Sequence, residues 1–192
     1  MNFVLFFLIG FLAGGIPFGF LIGKLKGVDI RKAGSGNIGA ANVARLCGKK
    51  AGGVAFLFDV VKGFLPAFIV ARYSINYGIT TGVGAVLGHM FTPFLKFRGG
   101  KGVSTALGVF LGLVPVPVLL CFGIWVVVLL GFRYVSVASM TAAVCAPVLI
   151  YFMKRPFPLF LLAIAVACLI LVRHISNIKR LLKGKEPKFN LH

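Results

Sequence analysis

The chain has 192 residues, of which 59% are hydrophobic and only 12% charged, about half the charged share of an average soluble domain. The chain has 21 Lys and Arg residues but only three Asp and Glu residues, which gives a formal net charge of +18. This composition excludes a soluble enzyme, a disordered chain and a collagen-like polymer, and it predicts an all-α integral membrane protein. Because the basic residues lie between apolar runs, we attribute most of them to membrane topology. Anionic substrates or lipid head groups account for the rest, and we expect no nucleic-acid partner.

Apolar segments near spanning length follow one another along the chain. They are 1–23, 51–71 (interrupted by Asp59 and Lys62), 73–95, 103–132, 134–153 and 156–172. The first segment lacks the cationic start of a cleaved signal, so we interpret it as a spanning helix. Segment 103–132 is long enough for two short helices that turn near Pro115-Val116-Pro117, where a helix is hard to continue.

The distribution of Lys and Arg decides between one and two helices in segment 103–132. With two helices the chain crosses seven times, and one side carries 17 Lys and Arg against three on the other. The larger group comprises seven in 24–50, three in 96–101, Arg133 and six from Arg173 onward. With one helix the division becomes 12 against eight. The positive-inside rule therefore predicts seven transmembrane helices, some of them short, with the N-terminus outside and the C-terminus in the cytoplasm. We expect a single transmembrane domain over 1–192.

The first polar segment of the predicted cytoplasmic side is 34–42, Gly-Ser-Gly-Asn-Ile-Gly-Ala-Ala-Asn, followed by Arg45. Its glycines expose backbone N–H groups, and Ser35, Asn37 and Asn42 add uncharged hydrogen-bonding groups. This combination suits an anion or a polyol. The glycines also fit G-x-G-x-x-G, but no βαβ unit surrounds them, which excludes a dinucleotide site. The alternative is a flexible loop that enters the second helix.

The second polar segment, 88–105, contains Gly99-Gly100-Lys101-Gly102 directly before a helix start. Backbone amides, the helix dipole and the Lys101 ammonium together predict a phosphate site, although the spacing is not that of a Walker A loop. Lys96, Arg98 and Lys101 are equally compatible with ordinary topology anchors beside the membrane.

The third polar segment begins at Arg173 and ends at Glu186. If it is helical, Arg173, Asn177 and Arg180 lie on one face at i, i+4 and i+7, with His174 beside them. The alternative is a basic helix end that lies on anionic lipid. Glu186 is the only carboxylate in the C-terminal half, which favours a salt bridge that fixes a loop over a catalytic role. A single cytoplasmic site could draw on all three segments.

Ionisable residues inside the apolar segments need an explanation, because placing a charge in the membrane interior costs free energy. Asp59 and Lys62 lie three positions apart in one helix, so we expect them to pair with each other or to line a polar cavity. His89, near the cytoplasmic end of its helix, is either a structural hydrogen-bonding group or a base. With three carboxylates in all, a two-carboxylate mechanism or a carboxylate-bound Mg²⁺ is hard to assemble, so we expect no metal and no cofactor. Any base is His89, His174 or the substrate itself.

These motifs together resemble the bacterial acyl-phosphate:glycerol-3-phosphate acyltransferases, integral membrane enzymes that start phospholipid synthesis. The three motifs of that family match 35–42, 88–102 and 173–186, and Asp59-Val60-x-Lys62-Gly63 also resembles the family. The resemblance spans the whole chain in the same order. It departs from the family at Ala41, where the family usually has Thr.

The resemblance implies transfer of a fatty acyl group from acyl phosphate to the 1-hydroxyl of sn-glycerol 3-phosphate, which yields lysophosphatidic acid and phosphate. It implies a multi-pass protein of the bacterial inner membrane, in contact with lipid, with its active site facing the cytoplasm. For this reaction we expect catalytic roles for Ser35, His89, His174 and Asn177. We expect substrate or phosphate binding by Gly36, Asn37, Asn42, Arg45, Lys96, Arg98, Gly99, Gly100, Lys101, Gly102, Ser104, Arg173 and Arg180. Structural support is expected from Asp59, Lys62 and Glu186.

A small seven-helix transporter for an organic phosphate is the rival interpretation. Such a transporter typically shows inverted repeats and helices broken at the bilayer midplane. Here the polar motifs are predicted at one interface and no internal repeat is evident, which favours the enzyme. A non-catalytic lipid-binding scaffold is a third interpretation, but it does not require such detailed motifs.

Overall fold

A computed structural model of the chain describes residues 2–189, and all regular secondary structure within them is helical, as predicted. The chain forms two compact units, Met1–Leu113 and Val114–His192. The helices of the first unit are α1 (Phe3–Gly15), α2 (Phe18–Leu25), α3 (Ala40–Cys47), α4 (Lys49–Ala71), α5 (Ile75–Met90), a 3-10 turn (Pro93–Leu95) and α6 (Val103–Leu113). Those of the second unit are α7 (Pro115–Phe132), α8 (Val135–Phe152), α9 (Phe157–Arg173) and α10 (Ile175–Leu182).

Proline divides two of the predicted apolar segments. The first segment is interrupted at Ile16 and Pro17, because a proline ring cannot continue the hydrogen-bond ladder of α1. In segment 103–132, one helix ends at Leu113 and the next begins at Pro115, which confirms the predicted turn. A proline at the first position of α7 is well tolerated, since that N–H has no partner within the helix.

Glycine lets α1 approach α5 very closely in the first unit. An added Cβ at Gly10 or Gly14 would overlap the backbone of Thr81 or Ala85 on α5. Conversely, a Cβ at Gly84 would overlap the backbone of Phe7 on α1. Small residues at four-residue spacing are how apolar helices gain close packing in a membrane. This contact brings the C-terminal end of α5 beside the break between α1 and α2.

Within residues 2–189, four segments are long and apolar enough to cross a membrane: Phe3–Leu25, Lys49–Ala71, Pro115–Phe132 and Val135–Phe152. A fifth is obtained if α9 and α10, bent by 52° at their junction, form one span. Helix α5 has 16 residues and α6 has 11. At 1.5 Å per residue they are roughly 24 Å and 17 Å long, which is less than the ~30 Å of a hydrocarbon core.

Candidate active site

The first polar segment is a compact loop held by one buried side chain, Asn42 of α3, which is only 2% exposed. The Asn42 Oδ1 accepts a hydrogen bond from the Ser35 backbone N–H at 2.9 Å. Its Nδ2 donates to the carbonyls of Ile30 at 2.9 Å, Asn37 at 2.9 Å and Ala33 at 3.3 Å. One amide therefore fixes the backbone of the loop on both sides of Ser35.

Asn42 is predicted to bind substrate, but in the structure its side chain contacts the loop instead. Its amide is buried under the loop and contacts loop backbone, so the structure gives it a positioning role. Ser35 and Gly36 are exposed on the loop, Asn37 is half-buried and bonds the Gly39 N–H, and Arg45 is exposed one turn along α3. The exposed groups of this segment are therefore a hydroxyl, loop backbone and a guanidinium.

Replacing the Asn42 amide by a carboxylate is expected to unfold this loop. Asn42→Asp keeps an acceptor for Ser35 but turns a second oxygen towards three carbonyls, and each lost buried bond costs about 1–3 kcal/mol. Thermal unfolding and protease cleavage within 31–39 measure the effect. Asn37→Asp is the matched control, because Asn37 uses its oxygen as acceptor and a carboxylate preserves that contact. Equal stability of the two variants would contradict the role given to Asn42.

A surface ion pair at the start of the loop was missed by sequence reasoning. Arg31 contacts the Asp29 carboxylate through Nε at 2.9 Å and Nη2 at 2.8 Å. The hydrogen bond from Arg31 lowers the pKa of Asp29 to about 2. Between the two, Ile30 is fully buried in a small core with Ile38 and Val43, so the loop is anchored to α3 by an apolar contact. The spacing of Asp29 and Arg31, two positions apart in the sequence, was the available indication of this ion pair.

The second polar segment folds back onto the end of α5. The Gly99 N–H donates to the Met90 carbonyl at 3.1 Å, and the Gly100 N–H donates to the His89 carbonyl at 3.0 Å. A Cβ at Gly100 would overlap the His89 imidazole, and one at Gly102, where φ is +84°, would overlap the Met90 side chain. These glycines are therefore required by packing against α5.

This packing differs from the predicted phosphate site, in which the backbone amides of the glycines would bind the ligand. The amides of Gly99 and Gly100 are bonded to backbone carbonyls, so they do not point towards a ligand in this structure. Lys101 and Ser104 are half-buried at the start of α6, whereas Lys96 and Arg98 are exposed. Lys101, Ser104 and the first turn of α6, whose helix dipole favours an anion, follow these glycines directly in the chain.

The predicted pairing of Asp59 with Lys62 is confirmed. The Lys62 Nζ lies 2.7 Å from the Asp59 Oδ1, and both side chains are buried. The same ammonium donates to the Ile16 carbonyl at the α1–α2 break, at 2.7 Å. The His89 Nδ1 lies 3.7 Å from the Asp59 Oδ1, and His89 is only 4% exposed. His89 is thus part of a buried cluster.

The third polar segment is not one straight helix. Arg173 ends α9, Asn177 and Arg180 belong to α10, and the 52° bend at His174 breaks the predicted common face. His174 is 3% exposed, and its ring Nδ1 lies 2.8 Å from the Ile170 carbonyl. A carbonyl only accepts, so this contact requires a proton on Nδ1 and makes Nε2 the acceptor nitrogen of the neutral ring.

Glu186 fixes the C-terminal segment, as predicted. Its Oε1 accepts hydrogen bonds from Asn177 Nδ2 at 2.6 Å and Ser136 Oγ at 2.7 Å. Its Oε2 accepts from Arg180 Nε at 2.8 Å. Sequence reasoning predicted the salt bridge but missed Ser136, which lies 50 positions earlier at the start of α8. One carboxylate therefore orients both Asn177 and Arg180 of α10 in the second unit.

The stabilising effect of Glu186 is expected to depend on pH. Burial raises the pKa of Glu186, but hydrogen bonds from Asn177, Ser136 and Arg180 outweigh burial, so the pKa lies below its ordinary value of 4.5. The unfolded chain then binds the proton more readily, so the stabilisation is complete above pH 4.5 and is lost as the pH falls through the lower pKa of the folded protein. Thermal unfolding of the wild type and Glu186→Gln should differ most at neutral pH and converge in acid. A difference independent of pH would refute this.

Comparison with known proteins identifies the family of the chain. The family model for glycerol-3-phosphate acyltransferase matches residues 4–184. The glycerol-3-phosphate acyltransferase of Aquifex aeolicus is 45% identical over 95% of this chain and 96% of its own length. The enzyme of the same name from Thermosipho melanesiensis is 42% identical over 98% of this chain and 93% of its own length.

A solved structure supports the same assignment. The crystal structure of PlsY (YgiH), an integral membrane glycerol 3-phosphate acyltransferase, in its glycerol 3-phosphate form, matches with a TM-score of 0.95 and 42% identity. The match covers 99% of this chain and 96% of PlsY. The lysophosphatidic acid form of the same protein matches with a TM-score of 0.92. The chain is therefore a member of the glycerol-3-phosphate acyltransferase family, and its multi-pass helical fold is that of an integral membrane protein.

Proposed function

We propose that this protein transfers a fatty acyl group from acyl phosphate to the 1-hydroxyl of sn-glycerol 3-phosphate, yielding lysophosphatidic acid and phosphate. The observation that carries this function is the match over nearly the whole chain to PlsY, solved with glycerol 3-phosphate and with lysophosphatidic acid. These two molecules are an acceptor and its acylated product. The reaction commits glycerol 3-phosphate to phospholipid synthesis.

The chemistry is a single acyl transfer. The 1-hydroxyl oxygen attacks the carbonyl carbon of acyl phosphate, a C–O bond to glycerol forms, and the C–O bond to the leaving phosphate breaks. The hydroxyl proton passes to a substrate phosphate oxygen or to a histidine. Because acyl phosphate is a mixed anhydride, the donor is already activated, and correct placement of the two substrates provides most of the remaining catalysis.

In the first unit, the exposed Ser35 hydroxyl is our candidate for stabilising the developing oxyanion. Asn42 supports it from below by fixing the Ser35 backbone. Arg45 and Lys101 are the cations proposed to bind phosphate groups, with Ser104 and Gly36 as neutral donors. His89 is buried beside Asp59, which favours a positioning role for it over a role as base.

In the second unit, His174 is proposed to position a substrate hydroxyl, with its ring held by the contact from Nδ1 to the Ile170 carbonyl. The Asn177 amide, which is held in place by its bond to Glu186, is our candidate for a second oxyanion donor. Arg180 and Arg173 are proposed phosphate ligands. Lys96 and Arg98 are proposed contacts for substrate phosphate or lipid head groups.

The function is tested by supplying purified protein with acyl phosphate and glycerol 3-phosphate. We expect equimolar release of lysophosphatidic acid and phosphate. Glycerol in place of glycerol 3-phosphate is the matched control and should give neither product, since it lacks the anion that the basic groups would bind. Uptake of glycerol 3-phosphate into sealed proteoliposomes without acylation would instead favour the transporter.

We propose that the chain crosses the bacterial inner membrane seven times, with an outside N-terminus and the polar segments at the cytoplasmic face. The spans would be α1 with α2, then α4, α5, α6, α7, α8 and α9. Helix α6 has 11 residues, so it would cross only where α4 and α5, which both pack against it, shield its ends from lipid.

The topology is tested by labelling single cysteines in a cysteine-free background with a membrane-impermeant reagent. Lys32→Cys and Lys183→Cys should both be labelled only from the cytoplasmic side. Tyr73→Cys, between α4 and α5, should be labelled only from outside, because an odd number of crossings separates it from Lys32. Labelling of Lys32→Cys and Lys183→Cys from opposite sides would contradict the proposed number of crossings.

A further inference from the structure

A buried charge cluster in the first unit calls for a physical explanation. Asp59 and Lys62 are 1% and 6% exposed inside an apolar helix, and His89 on α5 is 4% exposed. An ion pair in such surroundings loses its hydration, and an apolar pair of the same volume is often at least as stabilising. Stability alone therefore does not account for the two buried charges of α4.

The Lys62 ammonium joins α4 to the break between α1 and α2. Its Nζ donates to the Ile16 carbonyl at 2.7 Å, 46 positions away in sequence. The same break receives a second buried bond, from Thr92 Oγ1 to the Gly15 carbonyl at 2.5 Å. The carbonyls that the proline interruption frees from the helical ladder are thus bound by side chains of α4 and of the segment after α5.

His89 joins the same cluster to the glycine segment. Its Nδ1 lies 3.7 Å from Asp59 Oδ1, and its carbonyl accepts the Gly100 N–H at 3.0 Å. The imidazole lies so close to Gly100 that a Cβ there would overlap its Nε2. One chain of contacts therefore runs from Ile16 through Lys62, Asp59 and His89 to Gly100. Directly after Gly100 comes Lys101.

We propose that Asp59 and Lys62 are positioning residues for phosphate binding. The pair determines the position of the His89 ring, and the ring determines the position of the backbone at Gly99 and Gly100. This backbone in turn determines the positions of Lys101 and the first turn of α6. The ligand class is the phosphate group of a substrate. This inference rests on the proposed function, but its structural step is measurable without turnover.

The test uses the full-length Asp59→Asn/Lys62→Met double variant, which removes both charges at nearly constant volume. Removal of one partner alone would leave an uncompensated buried charge, so the double variant is the informative one. Ser139→Ala is the matched control, because Ser139 is equally buried at 4% and bonds Trp125 Nε1 at 3.2 Å in the second unit.

Amide hydrogen exchange of the segment containing Gly99 and Gly100 is the first readout. We expect it to be about tenfold faster in the double variant and unchanged in the control. Initial-rate kinetics are the second readout. A displaced Lys101 should raise the KM of a phosphate-bearing substrate by about tenfold, with a smaller change in kcat.

Wild-type exchange together with wild-type KM values in a folded double variant would overturn the proposal. If that variant does not fold, Asp59→Asn/Lys62→Gln, which keeps a donor towards Ile16, is judged by the same two outcomes. If the wild-type protein itself acylates nothing, the proposed function has failed, and hydrogen exchange alone still decides whether the pair positions this segment.

Discussion

Ser35→Ala is expected to lower kcat by about two to three powers of ten, the usual effect of removing one oxyanion donor. Ser35 is exposed on a loop whose backbone is fixed by Asn42, so its hydroxyl is held in place without being buried. An alanine keeps that backbone bond and removes only the hydroxyl. We therefore expect KM values to change little.

The control for this prediction is Ser139→Ala, which also deletes one hydroxyl and one contact, that with Trp125. It should keep full activity. A Ser35→Ala enzyme within about threefold of the wild type would show that Ser35 does not stabilise the transition state, since even a single neutral hydrogen bond contributes about 1 kcal/mol. Unchanged kcat with a raised KM would assign Ser35 to ground-state binding.

Gly100→Ala is expected to destabilise the folded protein by about 1–3 kcal/mol, as overpacking of a well-filled interior does. The added methyl group would overlap the buried His89 ring, which cannot withdraw without disturbing its contact with Asp59. Activity should fall as well, because Lys101 is the next residue. Thermal unfolding in detergent micelles gives the stability change.

A double-mutant cycle identifies the cause. In a His89→Ala background the space left by the imidazole accommodates the new methyl group, so Gly100→Ala should then cost almost nothing. Gly123→Ala on α7 is the control, because nothing lies within 4 Å of a Cβ built there. The same cost of Gly100→Ala in both backgrounds would mean that His89 is not the group that excludes a side chain at this position.

Features determined by local sequence were predicted correctly. The helix break before Pro115 follows from proline chemistry, and the Asp59–Lys62 pair follows from helical spacing and the cost of a lone buried charge. The loop-fixing salt bridge of Glu186 was predictable, because a single carboxylate in a basic segment has cationic side chains close by with which it can pair. Each of these predictions needed only a short stretch of chain.

Features determined by tertiary contacts could not be predicted. Asn42 looks like a ligand in sequence, but its amide folds the loop through a carbonyl 12 positions away. The amides of Gly99 and Gly100 look available for phosphate until α5 is placed beside them and its carbonyls accept both. The partner of Lys62 at Ile16 depends on where α1 breaks and on which helix lies next to it. Motif spacing carries no information on such contacts.

We expect the transfer to proceed without a covalent acyl-enzyme intermediate. An acyl-enzyme mechanism requires a nucleophile activated by a base that is oriented by a third group. Among residues 2–189 the three carboxylates are all engaged, Asp29 with Arg31, Asp59 with Lys62, and Glu186 with Arg180. The transfer should therefore need both substrates at once, and initial-rate plots should intersect.

Rapid quenching of enzyme at stoichiometric concentration tests the proposed transfer most directly. The protein is mixed with acyl phosphate in the presence or absence of glycerol 3-phosphate, and phosphate, lysophosphatidic acid and the mass of the intact chain are measured together. We predict phosphate release only when glycerol 3-phosphate is present, in equal amount to lysophosphatidic acid, with no acylated protein at any time. A burst of phosphate without glycerol 3-phosphate, matched by an acyl adduct that glycerol 3-phosphate removes, would contradict direct transfer.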